Sequence, residues 1–287
     1  MLQVARLAQK SLGDAADSVV TFLRNQLNDD GGFKDRAGAS DLYYTVFGLD
    51  GLIALRADLP ASRVHAYLRT FDPAKLDFVH TSCLARCYAA LPPDLRATAP
   101  RDAILARVES FRAADGAYNA TPHSKFGTLY GCFLALGAYE DLGLPIPDPQ
   151  ALLTCADNLR ADDGGYANQR DFPTGLTPST AAAATLMRHL GRAPDPALPQ
   201  WLLARCHPEG GFFATPLAPI PDLLSTATAL HALAGMHTDF THLKEPCLDF
   251  LDTLWSSQGA FYGNWSDDAL DCEYTFYALL SLGHLSI

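Results

Sequence analysis

Basic residues are scarce in this chain. Its 287 residues hold 21 Lys and Arg against 32 Asp and Glu, a formal net charge of −11, and no basic stripe runs through it. Non-specific nucleic-acid binding depends on Lys and Arg releasing counterions from phosphates, so the charge balance argues against a nucleic-acid partner. Long apolar runs are missing as well. No stretch reaches the roughly 20 residues that a transmembrane helix needs, and Met1 to Asp17 alternates polar and apolar residues without a signal-peptide core. The seven cysteines are an odd number and fall mostly inside helical stretches. They read as reduced core residues of a cytoplasmic protein, not as a disulfide framework. Charged residues make up only 18% against 48% hydrophobic, which excludes disorder and suits a large core.

What is present is a repeat. A turn ending in an aromatic recurs as Asp30-Gly31-Gly32-Phe33, Asp115-Gly116-Ala117-Tyr118, Asp163-Gly164-Gly165-Tyr166, Glu209-Gly210-Gly211-Phe212 and Gln258-Gly259-Ala260-Phe261. The aromatics stand 85, 48, 46 and 49 residues apart. Lys75-Leu76-Asp77-Phe78 divides the long first interval into 45 and 40 and reads as a degenerate copy. Six copies at this period mark a repeat architecture.

Each copy runs in the same order: a helix, the turn, a polar or Pro-containing loop, and a second helix. In the fifth copy these are Leu198 to Cys206, Glu209 to Phe212, Ala214 to Pro221, and Leu223 to Ala234 with Asp222 as its cap and Gly235 as its end. Asp41, Ser124, Thr177 and Ala269 or Leu270 open the matching helices elsewhere. First helices such as Asp17 to Leu27, Arg101 to Phe111 and Glu245 to Trp255 are amphipathic. Second helices such as Leu42 to Leu55, Leu129 to Leu142 and Tyr274 to Leu282 are apolar nearly all round, so they must be buried on most sides. The alternation predicts an all-α fold, an α6–α6 toroid with two concentric rings of six helices, in a single domain spanning residues 1–287. An open solenoid is the alternative. The apolar finish at Leu285-Ser286-Ile287 favours closure of the last copy against the first.

Gly-Gly-aromatic turns leading into helices such as Asp41-Leu42-Tyr43-Tyr44-Thr45-Val46-Phe47-Gly48-Leu49 resemble the repeat of the prenyltransferase and squalene-cyclase superfamily. Length and layout are most similar to the β subunit of protein prenyltransferases, particularly the Rab geranylgeranyltransferase type. The resemblance covers the whole chain. It implies a barrel with a central apolar funnel, which in the family holds an isoprenoid diphosphate beside zinc, and a β subunit that pairs with a helical-repeat protein partner.

The family's chemical residues are mostly missing here. Its zinc site takes an Asp and a Cys two residues later from the fifth buried helix and a His from the sixth. This chain keeps Asp222, but Leu224 and Tyr274 stand at the other two positions. Asp271, Cys272 and Glu273 are consecutive, so on a helix they point about 100° apart and cannot converge on one ion. No metal and no other cofactor is therefore expected. The diphosphate positions lack their His and basic residues, leaving Lys125 and Arg170 as the nearest cations. The acidic run by which the cyclase branch protonates an alkene or epoxide survives only in part, as Ser266-Asp267-Asp268-Ala269-Leu270-Asp271.

The repeat register places the candidate residues at the first turns of the buried helices. Glu273, Asp271 and His80 are the catalytic candidates, and Tyr44, Tyr130, Asp222, Tyr274 and Lys125 the substrate-binding ones. Each has a plainer alternative. His80 is a base at the rim or a packed junction residue. Asp222 and Asp271 are ligands or helix caps. The tyrosines line a pocket or pack in the core. Glu273 is harder to set aside, since a carboxylate on an apolar helix is costly without a partner or a role. The expected function is a prenyltransferase β-subunit-like protein, an enzyme or enzyme-like protein of isoprenoid metabolism and of transferase type, that binds an isoprenoid or other long apolar, lipid-like molecule in the cavity without the family's zinc. The alternatives are a non-catalytic interaction scaffold and a terpene cyclase-like enzyme.

Overall fold

The turn's chemistry explains the architecture seen in the computed structural model, which describes residues 1–287. In every full copy the aromatic is buried: Phe33, Tyr118 and Phe212 are 0% exposed, Tyr166 and Phe261 3%. The first glycine of the turn takes positive φ, as in Gly31 (96°) and Gly210 (92°). A Cβ at Gly31 would lie 2.2 Å from the Arg63 carbonyl oxygen, and one at Gly210 only 1.8 Å from that of Pro246. Only glycine meets both the conformation and the close approach of the neighbouring chain.

Fifteen α-helices follow in order, with two short 3-10 turns. They are α1 (Leu2–Ala5), α2 (Ala8–Leu12), α3 (Ala15–Asn25), α4 (Leu42–Ala54), α5 (Ala61–Leu68), α6 (Phe78–Ala90), α7 (Pro93–Arg96) and α8 (Arg101–Glu109), then α9 (Leu129–Asp141), α10 (Pro149–Asp157), α11 (Thr177–His189), α12 (Leu198–Leu203), α13 (Leu223–Gly235), α14 (Lys244–Leu254) and α15 (Cys272–Leu285). Two small antiparallel hairpins, β1 (Phe33–Lys34) with β2 (Ser40–Asp41) and β3 (Trp255–Ser256) with β4 (Ala260–Phe261), belong to the first and last turns.

The apolar helices α4, α6, α9, α11, α13 and α15 pack each on the next, and α15 packs on α4. That closes a ring. Helices α3, α5, α8, α10, α12 and α14 lie against its outside. One continuous apolar core links residues from Ala5 to Leu285. The fold is therefore the expected all-α toroid, with very little sheet.

Details depart from the sequence reading. The degenerate second copy forms no hairpin: Pro73–Lys75 is a 3-10 turn, and Phe78 starts α6 directly, stacking on Phe111 at 4.7 Å. Thr128, not Ser124, caps α9, and Asp271, not Ala269 or Leu270, caps α15. Gly235 stays inside α13, while His237 beyond it takes the left-handed φ of 55°.

The seam of the ring is tied at both ends. On one side Arg36, from the first copy, donates to Asp271 (2.7 Å) and in bidentate fashion to Asp267 (3.0 and 2.8 Å) of the last copy. On the other, α1 crosses against α15, where a Cβ at Gly283 would lie 2.1 Å from the Val4 carbonyl oxygen. Gly283→Ala is thus expected to destabilise by about 1–3 kcal/mol, the usual cost of overpacking. At Gly137 of α9 a Cβ meets nothing within 4 Å, so Gly137→Ala is expected to stabilise by about 0.5–1 kcal/mol through helix propensity. Thermal unfolding of the two variants in parallel checks both signs.

Candidate functional site

The inner helices all start at one end of the ring. Carboxylates cap four of them: Asp41 (α4), Asp77 (α6), Asp222 (α13) and Asp271 (α15) each accept from backbone N–H groups of the first turn. This end is the mouth. The opposite end, where the helices finish, is the floor.

Between them runs a cavity of about 630 Å³, within the range of about 300–1,000 Å³ typical of small-molecule sites. Its wall is largely apolar and aromatic, with Tyr43, Phe47, Tyr130, Phe133, Phe276 and Tyr277 prominent. On α9 the wall extends from Tyr130 to Asp141, a rise of roughly 16 Å along the helix.

The mouth collects most of the residues expected from sequence, in differing roles. Tyr130 lines the cavity and is 43% exposed. Glu273 sits one hydrogen bond behind the wall, accepting from the Tyr43 hydroxyl at 2.6 Å. Burial, followed in sign by the nearby Asp271 charge and opposed by the Tyr43 bond, leaves its carboxyl pushed up to about 7. Asp271 caps α15 and receives Arg36, and Tyr274 lies under the same guanidinium at 5.3 Å. Tyr44 packs edge-on against Tyr43. Asp222 accepts from the Ser225 N–H and hydroxyl, both at 2.7 Å. Lys125 is exposed and lies over Phe126, which also carries Arg170 on its ring.

His80 lies outside the cavity wall. Its Nε2 faces Asp41 at 3.0 Å and its Nδ1 faces Asp77 at 2.8 Å. It joins the caps of α4 and α6 as a clamp. Its bond to Asp41, aided by that to Asp77 and offset by burial, raises its pKa to about 9.

The zinc of the resembled family does not fit these residues. Asp222 is spent on its cap, Cys272 is fully buried, and no three His, Cys, Asp or Glu side chains are placed to hold a metal ion.

The floor was missed in the sequence. There Arg86 reaches Asp141 at 3.0 Å and Asp50 at 3.1 Å. His231 and His284 face each other at 3.0 Å, and Glu140 pairs with His189. Asp50 and Arg86 interrupt apolar helices just as Glu273 does. The same desolvation argument applied to them would have found the floor.

The profile of the prenyltransferase alpha-alpha toroid domain matches residues 4–76, 74–213 and 179–286. The chain belongs to this family. Among solved structures, it is similar to the type II terpene cyclase MstE from Scytonema in complex with geranylgeranyl dihydroxybenzoate. That pair is 15% identical, with 98% of this chain and 97% of the other covered and a TM-score of 0.62. Candida albicans protein geranylgeranyltransferase-I complexed with GGPP matches at 14% identity, 98% and 83% coverage and TM-score 0.53. D-mannose isomerase matches at 14%, 98% and 99%, with TM-score 0.67. At such identities the likeness shows the fold alone. No curated protein matches the chain significantly.

The His80 clamp predicts a pH dependence. The folded pKa, about 9, lies above the ordinary value of 6.5. Its stabilisation is therefore full below 6.5 and is lost as pH rises through 9. Melting temperatures of the wild type and His80→Gln are expected to differ most near pH 6 and to converge above pH 9. A constant gap across that window refutes the clamp.

Proposed function

We propose that the chain binds a long apolar molecule of isoprenoid type in its central cavity. The observation that supports this most directly is the cavity itself, with its aromatic wall running from mouth to floor. A scaffold that had kept only a docking surface has no need of an open, aromatic-lined hole, so the cavity favours ligand binding over the interaction reading. The unpaired thiols fit a reducing, cytoplasmic setting. The relatives whose complexes carry geranylgeranyl groups lend the reading a precedent on the same fold.

The cyclase reading is weaker. Alkene protonation calls for a strong acid, and a carboxyl raised to about 7 is a weak one. Glu273 suits proton exchange with oxygen or nitrogen near neutral pH instead. We assign Glu273 and Tyr43 that role at the mouth, beside Tyr130. Asp271, His80 and Asp222 serve as caps and clamp, and Lys125 as a surface charge. Tyr44 and Tyr274 support this wall from behind.

Gly137 gives a direct test, because it lines the cavity and a side chain there projects into open space. Native mass spectrometry of the wild type is expected to retain a polyisoprenoid added to it. Gly137→Phe is expected to reduce that retention more than tenfold, with a melting temperature no lower than that of the wild type. Equal retention by the filled variant sinks the cavity reading.

A further inference from the structure

The floor is built for a ligand end-group of a particular kind. His231 is 9% exposed and lines the cavity. Its Nδ1 faces His284 Nε2 at 3.0 Å, and its own Nε2 has no partner in the protein. The buried Nδ1 of His284 is also unpartnered. Burial holds both rings neutral, with pKa values lowered to about 3 and about 4. A buried N–H without an acceptor is less tolerable than a buried lone pair without a donor. The proton of His284 therefore sits on Nε2 and is donated to His231 Nδ1. That places the proton of His231 on Nε2, as a donor facing the cavity.

Arg86 shares the floor but is no phosphate clamp. Both terminal nitrogens are already engaged, one with Asp141 and one with Asp50, which removes the free fork that binds an anion. Three carboxylates line this end, Asp50, Asp141 and Glu140, against Arg86, His189 and the Met1 amino group, which burial and Arg86 drive toward its neutral form. The C-terminal ends of the inner helices gather there too, and their free carbonyls add negative potential.

Resting on the cavity reading above, we propose that the floor recognises a neutral hydroxyl on an apolar ligand and rejects phosphate. The hydroxyl donates a hydrogen bond to a floor carboxylate while keeping its proton, and a hydroxyl oxygen reaching His231 accepts from Nε2–H. Neither partner is offered to a bare hydrocarbon end.

Four probes of one chain length separate the possibilities: geranylgeraniol, its methyl ether, the matching hydrocarbon and geranylgeranyl diphosphate. Their dissociation constants are measured on the intact protein. The alcohol is expected to bind at least about tenfold more tightly than each of the others, the usual scale for a hydrogen bond to a charged group. Asp141→Asn, a neutral near-isostere, is expected to narrow the gap between alcohol and diphosphate. His231→Phe is expected to weaken the alcohol several-fold and leave the hydrocarbon unchanged. A diphosphate or hydrocarbon that binds as well as the alcohol overturns the proposal while leaving the cavity reading intact. An alcohol indifferent to both substitutions overturns it equally. Failure of all four probes to bind overturns the cavity reading and this proposal with it.

Discussion

A buried threonine hydroxyl holds three of the five turns to their inner helices, those of the first, fourth and fifth copies, and the ring is built on that bond. Thr45 donates to the Asp41 carbonyl at 2.6 Å and accepts the Phe33 N–H at 3.0 Å. Thr226 does the same between Asp222 and Phe212, at 2.7 and 2.9 Å. Thr180 accepts from Tyr166 at 2.9 Å. These hydroxyls are buried, so each satisfies a backbone N–H that could not reach water. The bond fixes the aromatic of the turn against the first helical turn. The aromatic in turn spaces the outer helix from the inner one. Repetition of this unit sets the curvature that brings α15 back onto α4.

Closure then decides where charge can go. The mouth carries helix N-termini, whose free N–H groups favour carboxylates. Asp41, Asp77, Asp222 and Asp271 answer them as caps; His80 joins the caps of two neighbouring copies, and Arg36 ties the first copy to the Asp271 cap and Asp267 of the last. Polar chemistry at the mouth is thus largely structural, which explains why so many candidate residues from the sequence turn out to be fasteners. Glu273 is the exception, because its partner is the wall residue Tyr43 and not a backbone group.

The repeat made the fold legible. Turn spacing, apolar helices and glycine placement fixed the class and most helix bounds to within a few residues. The threonine clasp was not read: Thr follows the capping Asp by four residues at Asp41 and Thr45 and at Asp222 and Thr226, but Thr180, which accepts the Tyr166 N–H, follows Leu176 instead. The site was less legible than the fold. A repeat register points to the same position in every copy, and so draws attention to the mouth, where the copies are alike. The floor is built from residues that differ between copies: Asp50, Arg86, Asp141 and His231. Their only common mark is polarity on an apolar helix, and pairing across the ring cannot be read from one chain position at a time.

That asymmetry bears on how the cavity selects its occupant. An aromatic wall contributes affinity in proportion to the apolar area it covers and discriminates poorly among hydrocarbons of similar size. Discrimination comes from buried polar groups that a wrong ligand leaves unpaired. At the mouth the capping carboxylates are already satisfied by backbone and by Arg36, His80 or the Ser225 hydroxyl. At the floor the Nε2 of His231 is not satisfied, and Asp141, which receives Arg86 on Oδ1 alone, has its Oδ2 to spare. On the proposed reading, a ligand's apolar length determines whether it enters, and its far end determines whether it stays.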